Sequence, residues 1–94
     1  MSLQFEWDAR KDASIRTKNG IPFEEAATVF ADPRSLTVPD PEHSRQEDRF
    51  VLLGLSYCGR LLVVVHTERG DNLRIISARK ATRSERRQYG EVQG

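Results

Sequence analysis

Arginine supplies most of the chemistry that this sequence offers. Arg74 to Tyr89, RIISARKATRSERRQY, carries Arg74, Arg79, Arg83, Arg86 and Arg87, and Arg49 stands upstream with Glu47 and Asp48 beside it. A guanidinium holds phosphate oxygens bidentately and never loses its charge. Cutting RNA without a metal needs a base for the 2′-hydroxyl, an acid for the leaving oxygen, and cations on the developing phosphorane. Arg49, Arg74 and Arg79 could supply the charge, with His66 or Glu47 moving protons. The pattern permits this chemistry without being diagnostic of it. His66 has a plain alternative as an edge residue with a satisfied ring, and His43 reads as solvated. Glu47 and Asp48 beside Arg49 could equally form a surface ion pair.

The elements that position these groups follow from local pattern. Arg74 to Arg79 reads as a strand with Ser77 and Arg79 on one face and Arg74 on the other. Thr82 and Glu85 have capping-box spacing, so a helix should start there and run to about Tyr89. Arg83, Arg86 and Arg87 then share one side of that helix. Upstream, Phe50–Tyr57, Arg60–Thr67 and Leu73–Arg79 read as successive strands with hairpin-length separators, an antiparallel meander. Leu61 to Val65 is apolar on both faces and is expected to be central, with helices on at least one side.

The first half reads as a strand over Gln4–Trp7, a helix capped by Asp8 and stopped at Asn19-Gly20, and a second helix opening near Pro22. Phe23, Ala26, Ala27 and Phe30 form its core stripe. Ser35–Val38 is a short strand, and Pro41 to Asp48 a polar loop. The fold class expected is therefore α+β: an antiparallel sheet, a three-stranded meander plus one or two short strands, with two N-terminal helices and one C-terminal helix. At 94 residues the chain reads as one small domain over 1–94.

Net charge is only +1, but residues 1–48 carry −4 and residues 49–94 carry +5. The basic half suggests a polyanion or an acidic protein partner. A stand-alone nucleic-acid binder fits less well, because no aromatics interleave with the basic residues to stack bases. Cys58 is the lone cysteine, which rules out an intrachain disulfide or Cys-ligated zinc and suits a reducing cytoplasm. The longest apolar run, Leu61 to Val65, cannot span a bilayer, so no membrane partner is expected. No metal-ligand spacing, glycine-rich phosphate loop or nucleophile elbow is present, and no cofactor is called for.

Phe5-Glu6-Trp7-Asp8, Phe23-Glu24-Glu25-Ala26, and Arg74-Ile75-Ile76-Ser77-Ala78-Arg79-Lys80-Ala81-Thr82 with Glu85-Arg86 and Tyr89 resemble the BrnT family, toxins of type II toxin–antitoxin pairs. The likeness runs from Phe5 to Tyr89 in order and spacing. It implies a compact α+β fold related to the RelE-like ribonuclease toxins, RNA cleavage that arrests translation, and neutralisation by a BrnA antitoxin. Operator DNA would be met only through that antitoxin. For a ribonuclease of this kind the chain's own catalytic candidates are His66, Arg79, Arg49, Glu47 and Ser77. RNA-binding candidates are Trp7, Lys18, Arg74 and Arg83, and antitoxin-binding candidates are Arg83, Arg86 and Arg87. Where the family commonly has Asn-x-x-Lys-His-Gly, this chain has Ile15, Lys18, Asn19 and Gly20. Asn19 cannot titrate, so the alternative reading is an attenuated homologue that mainly binds its antitoxin.

Overall fold

The computed structural model describes residues 3–40 and 48–93. Its order is β1 (Gln4–Glu6), α1 (Ala9–Asn19), α2 (Phe23–Thr28), a 3₁₀ turn (Val29–Ala31), β2 (Leu36–Pro39), β3 (Arg49–Leu55), β4 (Leu61–Arg69), β5 (Asn72–Lys80) and α3 (Arg83–Gln93). The five strands form one sheet in the order β1-β5-β4-β3-β2. The meander β3-β4-β5 is antiparallel and β4 is central, in line with the sequence pattern. The sheet as a whole is mixed, because β1 runs parallel to β5. That pairing needs the long α1–α2 connection before the chain returns to the sheet, which no local signal announces.

Local chemistry explains the helix limits. Asp8 caps α1 by accepting from the Arg10 and Lys11 amides, at 2.7 and 3.3 Å. Gly20, at φ 72°, ends it in the left-handed region and donates its N–H to the Arg16 carbonyl. Thr82 and Glu85 form the expected capping box: the Glu85 N–H donates to Thr82 Oγ1, and the Thr82 N–H donates to Glu85 Oε1. After Thr28 the second helix tightens into the 3₁₀ turn, which shifts the phase of its apolar stripe. Val29 is thereby fully buried beside Phe23 and Ala26, while Phe30 is only half-buried.

The sheet separates two apolar clusters. On one side α1 and α2 cover Leu52, Leu62, Val64, Ile75 and Ala78, with Ile21, Phe23, Ala26 and Val29 completing the larger core. On the other side α3 sends Tyr89, and the segment before it Ala81, onto Leu53, Leu61 and Val63. Gly54 marks a close approach between β3 and the 3₁₀ turn. A Cβ there would lie 2.9 Å from Val29 Cγ1 and 3.0 Å from both the Ser35 Cβ and Asp32 Oδ2. Gly54→Ala should therefore cost about 1–3 kcal/mol by overpacking, read as a lower urea midpoint at an unchanged m-value. A midpoint equal to wild type would show that the turn yields freely.

Candidate active site

The register of β5 against β4 decides which candidate residues share a face. Val63 pairs with Arg79, Val64 with Ala78 and Val65 with Ser77, but His66 pairs with Ile75 and Thr67 with Arg74. Ile76 is thus an extra residue, a β-bulge opposite the Val65–His66 step. Strict alternation would put Arg74 on the opposite face from Ser77 and Arg79. The bulge corrects that expectation and brings all three to the face shared by Val63, Val65 and Thr67. Arg49, paired with Thr67, joins them from β3. Arg49 and Arg74 therefore flank Thr67 across the central strand, about 10 Å apart at Cα. Arg79 lies four β4 residues further on, about 13 Å along the strand, where α3 packs.

His66 does not join this group. It lies on the helix-covered face, 5% exposed, with its ring 4.8 Å edge-on from Phe30 and 5.8 Å stacked from Phe50. Trp7 is on that side too, half-buried, its ring perpendicular to that of Phe23 with centroids 6.1 Å apart. Lys18 is exposed in the last turn of α1, the helix that packs Ile15 into the same core. The candidates therefore divide across the sheet: Arg49, Arg74, Ser77 and Arg79 on one side, and His66, Trp7 and Lys18 on the other. Arg83, Arg86 and Arg87 are exposed on α3. Glu47 and His43 lie outside the described residues.

Burial lowers the pKa of His66, an effect only partly opposed by a backbone hydrogen bond at Val64 and by the Glu68 charge. Its Nδ1 is buried without a hydrogen-bond partner among the described residues. The folded state thus disfavours the imidazolium, and the unfolded chain binds the proton more readily. Stability should be level above about pH 6.5 and fall as pH drops below that value. In denaturant melts between pH 7.5 and 5, wild type should lose stability relative to His66→Phe as the pH falls; parallel curves would show that this imidazole is not the source.

Arg74 and Arg79, on the other face, already have carboxylate partners. Glu6 Oε1 accepts from Arg74 Nη1 at 3.2 Å and lies 3.7 Å from Arg69 Nη1. Asn72 Nδ2 donates to Glu6 Oε2 at 3.1 Å, and these hydrogen bonds hold the Glu6 carboxyl below its usual range. Arg79 is held more tightly. Its Nη1 and Nη2 donate to Glu85 Oε1 and Oε2, both at 2.8 Å. With the Thr82 amide adding support, Glu85 is pulled down to about 2, chiefly by Arg79. The far end of α3 is tied by Tyr89, whose hydroxyl donates to Asp32 Oδ2 at 2.7 Å. Asp32 also accepts from the Leu55 and Arg34 amides.

Asn19 has a structural task in this chain. Its Nδ2 donates to the Ala78 carbonyl at 2.9 Å, tying the end of α1 to β5. A second tie, not foreseen from sequence, is Glu25, which takes both Arg60 Nε (2.8 Å) and Arg60 Nη2, together with Ser56 Oγ at 2.7 Å. Arg60 Nη2 also donates to the Gly20 carbonyl. The Arg60 hydrogen bonds foremost, with that of Ser56, keep the Glu25 carboxyl below its ordinary range. Separations of 31 and 35 residues left these contacts without a sequence signal. Among the described residues no three His, Cys, Asp or Glu side chains converge on a possible metal position, and no helix is long and apolar enough to cross a membrane.

A mixed five-stranded sheet with helices on both sides and arginines gathered on one face makes this a small α+β protein. That fold is shared with the 1.1 Å crystal structure of the Brucella abortus ribonuclease toxin BrnT, at a TM-score of 0.67 and 19% sequence identity, over 87% of this chain and 100% of that one. A family model described as the ribonuclease toxin BrnT of type II toxin–antitoxin systems matches residues 7–85, and the chain belongs to that family. No curated protein matches it significantly in sequence.

Proposed function

We propose that this protein is a metal-independent endoribonuclease toxin that cleaves RNA and arrests translation in the cytoplasm, and that a BrnA-like antitoxin neutralises it. The observation that carries this reading is the bulge-aligned set of Arg49, Arg74, Ser77 and Arg79 on one sheet face of a BrnT-family chain. Arg49 and Arg79 clamp phosphate oxygens and stabilise the charge that builds on phosphorus. Arg74 and Arg83 extend the phosphate track, and the Ser77 hydroxyl, between them and Arg79, offers one more hydrogen bond. Glu47 is assigned the proton from the 2′-hydroxyl on its place in the chain alone, two residues before Arg49, and the leaving 5′-oxygen takes its proton from solvent water. His66 lies across the sheet among aromatic rings and is left out of proton transfer. Trp7 packs with the core, and Lys18 can reach only RNA that extends past the end of α1. The exposed Arg83, Arg86 and Arg87 on α3 receive an acidic antitoxin segment, and operator DNA is contacted only through that antitoxin.

The test is cleavage of a long RNA by purified protein in EDTA. Wild type and His66→Phe should cut, and Arg49→Ala should not, with all three folded by circular dichroism. Loss of cutting in folded His66→Phe would return that imidazole to the mechanism. A second reading, an attenuated toxin that mainly binds its antitoxin, draws on two observations: Asn19 cannot titrate, and Glu85 occupies the Arg79 fork. Wild type that cuts no RNA in EDTA while still binding its antitoxin would favour it.

A further inference from the structure

The ion pair that secures the start of α3 sits on a guanidinium assigned to phosphate. Arg79 presents its two terminal nitrogens to the two oxygens of Glu85 in a parallel fork, both contacts 2.8 Å. A phosphate would use the same geometry. The carboxylate is also pre-positioned, since the Thr82 N–H fixes Oε1 and the Glu85 backbone is capped by Thr82 Oγ1. By contrast, Arg74 makes one 3.2 Å contact with Glu6, with no second fork arm.

We propose that Glu85 is an internal competitor for RNA: its carboxylate fills the seat on Arg79 that an RNA phosphate takes, and phosphate binds there only as Glu85 leaves. This rests on the reading of Arg79 as a phosphate clamp. A purely structural role does not require the charge. Glutamine serves as well as glutamate in a capping box, whereas a neutral amide cannot hold both arms of a guanidinium. The Arg79 side chain is 45% exposed and that of Glu85 23%, so the pair lies at the surface, within reach of an incoming strand. Exchange of one anion for another leaves the Arg79 charge compensated throughout, which makes the step feasible without unfolding α3.

The probe is a fluorescent 2′-O-methyl oligouridylate, which the enzyme cannot cleave, followed by anisotropy over a range of salt. Glu85→Gln should bind it about two- to five-fold more tightly than wild type, the worth of one favourable surface ion pair. The gain should vanish in Arg79→Ala/Glu85→Gln. Thr82→Ala, which weakens the cap but keeps the carboxylate, should show no gain. Glu85→Gln binding like wild type, or Thr82→Ala reproducing the gain, while Arg79→Ala alone binds more weakly, would overturn the proposal and leave the clamp intact. Arg79→Ala binding like wild type would remove the clamp itself, and the competitor with it.

Discussion

Arg79→Ala is expected to slow RNA cleavage by about 10²- to 10³-fold, the usual loss when one preorganised donor to a developing anion is removed. The effect should fall on kcat more than on KM, because the guanidinium acts most strongly where charge builds on phosphorus. Stability should change far less. The Arg79–Glu85 pair is exposed, and pairs of that kind contribute about 0–1 kcal/mol. Glu85 keeps its capping bonds to Thr82, so α3 should stay in place. Single-turnover cleavage with parallel thermal melts checks both halves of this expectation. A folded variant that cleaves at the wild-type rate would take Arg79 out of the site.

Phe23→Ala should produce the largest loss of stability. Phe23 is fully buried among the apolar side chains beneath α2, and its ring stands perpendicular to that of Trp7, centroids 6.1 Å apart. Removing a buried aromatic ring typically costs about 3–5 kcal/mol, part transfer and part cavity. A protein of this length has roughly 5–14 kcal/mol of stability in total. The melting temperature should therefore fall by about 12–40 °C. The backbone tie from the Phe23 N–H to Asp12 Oδ1, at 2.9 Å, survives the change, so the loss reports the ring and not the turn. Phe23→Leu, which refills most of the space, should recover more than half of it. Equal melting points for Phe23→Ala and wild type would mean that the two helices do not depend on this ring.

Much of the architecture is written in short-range signals. Asp8 and Gly20 bound α1, Thr82 and Glu85 start α3, and the apolar Leu61–Val65 run becomes the central strand, because caps and burial periodicity act over a few residues. The family was legible for the same reason, since its motifs are contiguous blocks in fixed order. The division of the candidate site was not legible. One bulge residue, Ile76, moves Arg74 to the side of Ser77 and Arg79, and register places His66 on the other face among aromatic rings. Equally, the capping-box spacing of Glu85 fixed its backbone role but not its hold on Arg79, which depends on where α3 packs against the sheet. Local sequence determined the elements and the family. Which charged groups face one another was decided by strand register and long-range packing, because those depend on pairings between residues far apart in the chain.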